Sequence, residues 1–539
     1  MKGLMMDYPL VIPRILERAR RVHSESEIVS YSAEGKKHVY TWNEFYGRVV
    51  RLMNVLRKLG VKKGDRVATF AWNHHRHLEL YYAVPCLGAV VHTLNIRLFP
   101  EQLSYIVNHA EDKLIFVDDS LIKPIEALAG EFKTVEKYIV MGDNGNPETS
   151  LSPAVDYEAL MADADDTVDF PEIEENQASG LCYTSGTTGN PKGALYSHRA
   201  IFLHTLMACL PDGMNLTDRD TVMPVVPMFH ANAWSVPYNA AMMGSRLVFA
   251  GANVMPDNLV RIINEESVTM ALGVPTIWTG MLQHLRKTGE KLNTVHSMLV
   301  GGAAVPRAMI EAFKKEFDVN IMQGWGMTEM TPLGSVARLK RKMLDWPEDR
   351  QFDALAKAGV PSACVEMKIV DDAGNELPWD GESTGELLVR GPAVVSGYYN
   401  DAEASKNAIS ADGWFRTGDV ATIDENAVMG ISDRTKDLIK SGGEWISSVE
   451  MENAIMGIDS VLESAVVARP DPKWDERPVA FVVPTPDGGG VTPEQVLEHL
   501  TNEFAKWQLP DLEDIRIIAE IPKTSVGKFD KKVLRANNL

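Results

Sequence analysis

The run Tyr183-Thr184-Ser185-Gly186-Thr187-Thr188-Gly189-Asn190-Pro191-Lys192-Gly193 constrains this chain more than any other stretch. Gly186, Gly189 and Gly193 let the backbone turn freely and come close to a ligand. Thr184, Ser185, Thr187 and Thr188 add hydroxyl donors, and Lys192 adds a point charge suited to phosphate. Successive backbone N–H groups in such a loop form a concave anion site. The apolar lead-in Ser179-Gly180-Leu181-Cys182-Tyr183 reads as one strand and Ala194-Leu195-Tyr196-Ser197-His198 as a second, so the spacing predicts a hairpin with the loop at its tip. The run is not a Walker A loop, because Lys192 stands between Pro191 and Gly193 rather than before Ser or Thr. A nucleotide kinase or ATPase of that fold is therefore disfavoured.

At 539 residues the chain can bury a large core and support more than one domain. Its 54 basic and 74 acidic side chains give a net charge of −20, which argues against nucleic acid as a partner. Cys86, Cys182, Cys209 and Cys364 are scattered, with no metal-ligand or redox spacing, so reduced thiols and a cytoplasmic setting are expected. The first residues lack the apolar stretch of a signal peptide, and no run is long and apolar enough to span a bilayer.

Taken in order, Thr41-Trp42-Asn43-Glu44 has the form of a capping box, and Gly60 ends the amphipathic run behind it. Strands expected at 66–70, 90–94 and 114–117 alternate with helices at 77–87, 101–109 and 121–128, which implies parallel sheets wrapped by helices. Residues 142–177 are acidic and rich in Pro, Asn and Asp, and read as a surface connection. In Val300-Gly301-Gly302-Ala303-Ala304-Val305-Pro306 the paired glycines permit flat contact with a purine or passage of an acyl chain. In Gln323-Gly324-Trp325-Gly326-Met327-Thr328-Glu329, Trp325 offers an aromatic face, Thr328 a hydroxyl for phosphate, and Glu329 a hard oxygen ligand suited to Mg²⁺.

Together these strings resemble the adenylate-forming superfamily, which includes acyl-CoA synthetases, aryl-CoA ligases, luciferases and peptide-synthetase adenylation domains. The resemblance extends over essentially the whole chain. It is carried by Y-T-S-G-T-T-G-N-P-K-G at 183–193, G-W-G-M-T-E at 324–329, W-F-R-T-G-D at 414–419, D-R-T-K-D at 433–437 and P-K-T-S-V-G-K at 522–528. It implies an α/β fold: a large N-terminal domain of helix-wrapped sheets over residues 1–435, and a small mobile α+β domain over 436–539. It implies ATP, Mg²⁺ and CoA as co-substrates or cofactors, with a small carboxylic acid as the partner substrate. ATP and AMP would be held by Thr184, Ser185, Gly186, Thr187, Thr188, Gly189 and Lys192, by Gly302 and Ala303, and by Gln323, Gly324, Trp325, Gly326 and Thr328. Asp419 would take the ribose hydroxyls and Arg434 would reach the same sugar.

By the same resemblance Lys528 is the adenylation lysine, Glu329 with Thr184 holds the metal, and Lys436 is the hinge. His230, Trp234, Gly301, Gly302, Trp325 and Pro332 would line the acyl pocket, with Trp234 either its floor or its gate. Lys440, Gly442, Gly443 and Trp445 would lie on the CoA side, and Lys523 and Lys531 are read as structural or CoA-facing. The segment Met228-Phe229-His230-Ala231-Asn232-Ala233-Trp234 holds no carboxylate for an α-amino group, which disfavours an amino-acid substrate. With Gly443-Glu444-Trp445-Ile446-Ser447 it looks most like fatty-acyl-CoA ligases, and within them resembles the medium-chain group, so 3-methylmercaptopropionate or a medium-chain fatty acid is the expected acid. A long-chain ligase, a carrier-loading adenylation module and a luciferase-like oxidase are the alternatives. A homodimer is expected only from the general frequency of such assemblies.

Overall fold

The structure is a computed structural model. It describes residues 1–536 except 2, 33, 144, 146, 147, 185–189, 435, 436, 442, 443, 486–489 and 525–527, and leaves aside the side chain of Glu444. Among the described residues, four sheets carry the chain. One has seven strands, in the order Ala154–Asp156, Lys137–Met141, Asp112–Asp118, Arg66–Phe70, Val90–Thr93, Ala178–Tyr183 and Gly193–Ser197. All pairs are parallel except the last, in which Tyr183 sits opposite Gly193. The hairpin expected around the glycine-rich loop is that antiparallel pair.

The second sheet has nine strands, with a parallel centre made of Glu27–Tyr31, Arg246–Phe249, Thr221–Pro224, Met270–Gly273, Ser297–Gly301 and Asn320–Gly326. Parallel strands are covered on both faces, which is why they read as unbroken apolar runs. Ile115, Phe116 and Val117 are fully buried, as are Ala271, Leu272 and Val300. The helix Trp42–Lys58 starts as its sequence dictates: the Thr41 hydroxyl accepts from the Glu44 N–H, and the Glu44 carboxylate accepts from the Thr41 N–H. Trp42, Phe45, Leu52 and Leu56 on its inner face are buried.

Two features depart from the sequence reading. The acidic segment 142–177 is not wholly a surface connection. It adds the edge strand Ala154–Asp156 and the helix Tyr157–Ala162, because Tyr157 and Met161 bury their side chains and the Tyr157 hydroxyl donates to the buried Glu79. In addition, Glu366–Val370, Gly385–Arg390, Phe415–Ile423 and Met429–Arg434 form a separate antiparallel sheet that the alternation of strands and helices does not announce.

The fourth sheet lies in the C-terminal part. It pairs Val461–Asp471 with Asp475–Pro484 and adds Ile439–Ser441, Glu444–Ile446 and Ile515–Ile517. A buried polar cluster ties it to the strand Met429–Arg434. Asp433 Oδ2 accepts from the N–H and hydroxyl of Ser448 at 2.9 and 2.6 Å. Lys531 Nζ reaches the Ser448 hydroxyl and, at 2.7 Å, Glu452. Lys523 pairs with Glu463, so both lysines have structural partners.

The large domain is also pinned by histidine. His204, on the helix His198–Cys209, is fully buried, and its Nε2 accepts from the Leu333 N–H at 3.0 Å. Burial lowers its pKa to about 3. The unfolded chain takes up that proton near pH 6.5 and the folded chain does not, so between those values stability rises with pH by up to about 1.4 kcal/mol per unit. His204→Gln keeps an acceptor and removes the titration. Its thermal midpoint should drop less between pH 7.5 and 5.5 than that of the parent, and an identical drop would contradict this account.

Candidate active site

The carboxyl ends of the central parallel strands, the antiparallel sheet and the C-terminal domain meet around one cleft of about 1350 Å³. Its back wall depends on missing side chains. Gly301 sits opposite Gly324 in register, and a Cβ there would lie 2.7 Å from the Gly324 carbonyl oxygen and 3.4 Å from the Trp234 ring. A Cβ on Gly326 would lie 2.0 Å from the carbonyl oxygen of Pro332. Gly302, Ala303 and Pro332 line the same space.

Thr184 and Lys192 enter the cleft from the two arms of the hairpin. The Thr184 N–H donates to the Lys192 carbonyl at 2.9 Å, and the Lys192 N–H donates back to Thr184 Oγ1 at 3.2 Å. Ser185, Gly186, Thr187, Thr188 and Gly189 between them lie outside the described residues, as do Lys436, Gly442 and Gly443. Thr328 is buried, and its carbonyl accepts from the Tyr196 hydroxyl at 2.6 Å. Glu329 is buried beside it, with Oε1 accepting from the Tyr398 hydroxyl at 2.7 Å. Burial raises the pKa of this carboxyl, while the Tyr398 hydrogen bond and the positive charges of Arg434 and Lys192 act against the rise.

Trp325 and Asp419 are joined directly. The indole Nε1–H donates to Asp419 Oδ2 at 2.9 Å, and the other carboxylate oxygen pairs with Arg434 at 3.1 Å. The backbone fixes that pair, since Asp419 and Arg434 are opposite in the antiparallel sheet. Gln323 is held inward by the bond its Oε1 accepts from the Val305 N–H at 3.1 Å. Lys528 reaches in from the C-terminal domain, its Cε 3.6 Å from where a Gly302 Cβ would be. The charge of Lys528 adds to burial in lowering the pKa of His230 to about 3, so that imidazole is neutral.

His230 precedes, and Trp234 lies within, an unusual backbone turn. Ala231, Asn232, Ala233, Trp234 and Ser235 all have positive φ, from 44° to 64°. A left-handed turn costs roughly 1–2 kcal/mol per L-residue and persists only when its surroundings hold it. Here Asn232 accepts from the Cys182 thiol at 3.4 Å, and the Ser235 hydroxyl donates to the Thr331 carbonyl at 3.0 Å. The segment holds no glycine, and Asn232 alone gives a weak signal of it.

Lys440 and Trp445 are not brought to the cleft. They pair across a short hairpin, with the ammonium 5.7 Å from the indole centre and Trp445 exposed. Tyr398 is the residue sequence reading passed over; its only signal is its place in Ser396-Gly397-Tyr398-Tyr399, after a glycine turn. Among the described residues no three or more His, Cys, Asp or Glu side chains cluster as a metal site, so Glu329 is a lone carboxylate that would need phosphate oxygens to complete a cation's shell. Gly326→Ala should lower stability by about 1–3 kcal/mol, because the added methyl meets backbone that cannot swing aside. A thermal midpoint equal to the parent's would contradict that packing.

The AMP-binding enzyme family pattern matches residues 16–399, and that of the AMP-binding enzyme C-terminal domain matches 450–528. The chain is 47% identical to a long-chain-fatty-acid–CoA ligase of Thermus thermophilus, covering 98% of this chain and 96% of that one. It is 42% identical to a 3-methylmercaptopropionyl-CoA ligase of Ruegeria lacuscaerulensis, over 99% and 98%. It is also 42% identical to a medium-chain-fatty-acid–CoA ligase of Ectopseudomonas oleovorans, over 99% and 97%. The fold superimposes on ATP-bound MatB of Rhodopseudomonas palustris with a TM-score of 0.84 at 26% identity, over 98% and 99% of the two chains. With both patterns matched and relatives above 40% identity along nearly their whole length, the chain belongs to the AMP-binding enzyme family and is an AMP-forming acid–thiol ligase.

Proposed function

We propose that the protein joins a short- or medium-chain carboxylic acid to CoA, with 3-methylmercaptopropionate or a medium-chain fatty acid as the substrate. The observation that carries the reading is the convergence of Lys528, Lys192 and Arg434 with the buried Glu329 in one cleft. A carboxylate attacking a phosphate brings two anions together, and such a step needs positioning and charge neutralisation more than a covalent nucleophile. An oxygen of the acid attacks the α-phosphorus of ATP, and pyrophosphate leaves. The CoA thiol then attacks the acyl carbon, and AMP leaves with the bridging oxygen.

In this reading Lys528 bridges the carboxylate and the α-phosphate, Lys192 and Thr184 face the phosphates, and Asp419 and Arg434 take the ribose. Glu329, with Thr184, fits a magnesium ion: its carboxylate lies in the cleft, where Tyr398 engages Oε1. Bound there, magnesium would supply charge neutralisation for the polyphosphate. The neutral His230 and Trp234 border the acid.

Relatives named for long-chain, medium-chain and 3-methylmercaptopropionyl substrates support an aliphatic acid. A long-chain acid is the second reading, favoured by the most identical of those three relatives. The small domain, taken from residue 436, docks for adenylation and swings away to admit the thiol, with Lys436 as the hinge. Lys440 and Trp445, with Gly442 and Gly443, serve the CoA side only after that movement. A cytoplasmic homodimer is the assembly proposed.

Incubation with Mg-ATP, CoA and acids from acetate to palmitate tests this reading. AMP and acyl-CoA should appear together, with a maximum at short or medium acids, and a maximum at palmitate would support the long-chain reading. AMP without thioester would point to carrier loading or oxidation, and ADP would contradict adenylation. Lys528→Met should slow pyrophosphate release about 10²–10³-fold, the cost of one transition-state contact; an undiminished rate would remove Lys528 from the reaction.

A further inference from the structure

Glu329 does not stand alone in the cleft; one short segment grips it on two sides. The Val395 N–H donates to the Glu329 carbonyl at 2.9 Å, and three residues on the Tyr398 hydroxyl donates to its carboxylate at 2.7 Å. The next residue continues the connection, since the Tyr399 N–H donates to the Gly193 carbonyl at 2.8 Å, where the glycine-rich hairpin ends. Lys192, one residue before Gly193, places its ammonium 5.1 Å from the centre of the Tyr398 ring. The tyrosine therefore touches both the acidic and the basic group that face the phosphates in the proposed reaction.

The ring is itself held firmly. The Tyr398 N–H donates to Ser405 Oγ at 2.8 Å, and the Ser405 hydroxyl also lies within reach of the carbonyls of Tyr398 and Asp401. A Cβ on the preceding Gly397 would come within 2.8 Å of Ser405 Oγ, so the close approach of this turn to the helix Ala402–Ala408 depends on glycine there. Phe415 packs against the ring at 6.3 Å, near perpendicular. A hydroxyl fixed in this way points the carboxylate instead of following it.

We propose that Tyr398 is a positioning residue for the first half-reaction: its hydroxyl fixes Oε1 of Glu329, leaves Oε2 to meet a nucleotide-bound divalent cation, and its ring steadies Lys192 beside that carboxylate. The inference rests on the role given to Glu329 above. Hydrogen-bond partners that orient a metal-ligating carboxylate set its affinity, and losing one typically weakens the metal 10–100-fold.

Mn²⁺ binding tests it directly. The full-length protein is saturated with α,β-methylene-ATP, which cannot release pyrophosphate, and Mn²⁺ is titrated while its free fraction is read by electron paramagnetic resonance. Tyr398→Phe keeps the ring and removes only the hydroxyl. It should weaken Mn²⁺ about 10–100-fold; in a separate assay with ATP and acid, excess Mg²⁺ should restore most of the pyrophosphate release, and the thermal midpoint should stay close to the parent's. A merely structural tyrosine would lower the midpoint and would not be rescued by metal. Unchanged Mn²⁺ affinity in Tyr398→Phe, alongside weakened binding in Glu329→Gln, would overturn this inference alone. Unchanged affinity in Glu329→Gln would overturn the metal role of Glu329 and this inference together.

Discussion

A carboxylate removed from water is the constraint around which this cleft is built. Glu329 is buried, and an ionised carboxyl in such a place is costly unless hydrogen bonds and opposite charge answer it. The answers come from three separate parts of the chain: Tyr398 from the turn between the strand Gly385–Arg390 and the helix Ala402–Ala408, Lys192 from the end of the glycine-rich hairpin, and Arg434 from the last strand of the antiparallel sheet. The carboxylate therefore couples parts of the chain that are far apart in sequence. The same requirement, cation against anion, is what an acid and a nucleotide impose when they react.

The second coupling is between Asp419 and its two partners. One oxygen takes the indole N–H of Trp325, and the other takes the guanidinium of Arg434. This ties the nine-stranded sheet to the four-stranded antiparallel sheet at the mouth of the cleft. One residue before Arg434, Asp433 accepts from the first N–H of the helix Ser448–Met456, so the same strand end helps hold the C-terminal domain in place. The arrangement puts Lys528 in the cleft, with a buried polar cluster at the end of one strand among the contacts that hold its domain.

What the sequence discloses is mainly local. The Thr41–Glu44 box, the strands on either side of the glycine-rich loop and the Gly301-Gly302 turn each depend on residues a few positions apart, and their placement follows from propensity, capping and glycine chemistry. The links that assemble the site span much longer stretches. Tyr398 is 69 residues from Glu329, and Asp419 is 94 from Trp325, so neither bond leaves a pattern in one sequence. The left-handed turn at 231–235 is hidden for a different reason: apart from Asn232 its residues have no intrinsic preference for that conformation, and tertiary bonds hold it. The four-stranded antiparallel sheet escaped notice because its strands are individually ordinary and only their pairing is distinctive. Lys440 and Trp445 fit the family's string yet sit away from the cleft, because a motif fixes neighbours along the chain and not the orientation of the domain that carries it.

The central claim is that the acid becomes joined to AMP before it meets the thiol. A substrate acid labelled with ¹⁸O in both carboxylate oxygens tests this with a single turnover and mass analysis of the nucleotide. One labelled oxygen should pass to AMP, because the oxygen that attacks the α-phosphorus leaves with it, and pyrophosphate should carry none. Unlabelled AMP, or label in orthophosphate together with ADP, would contradict the acyl-adenylate route.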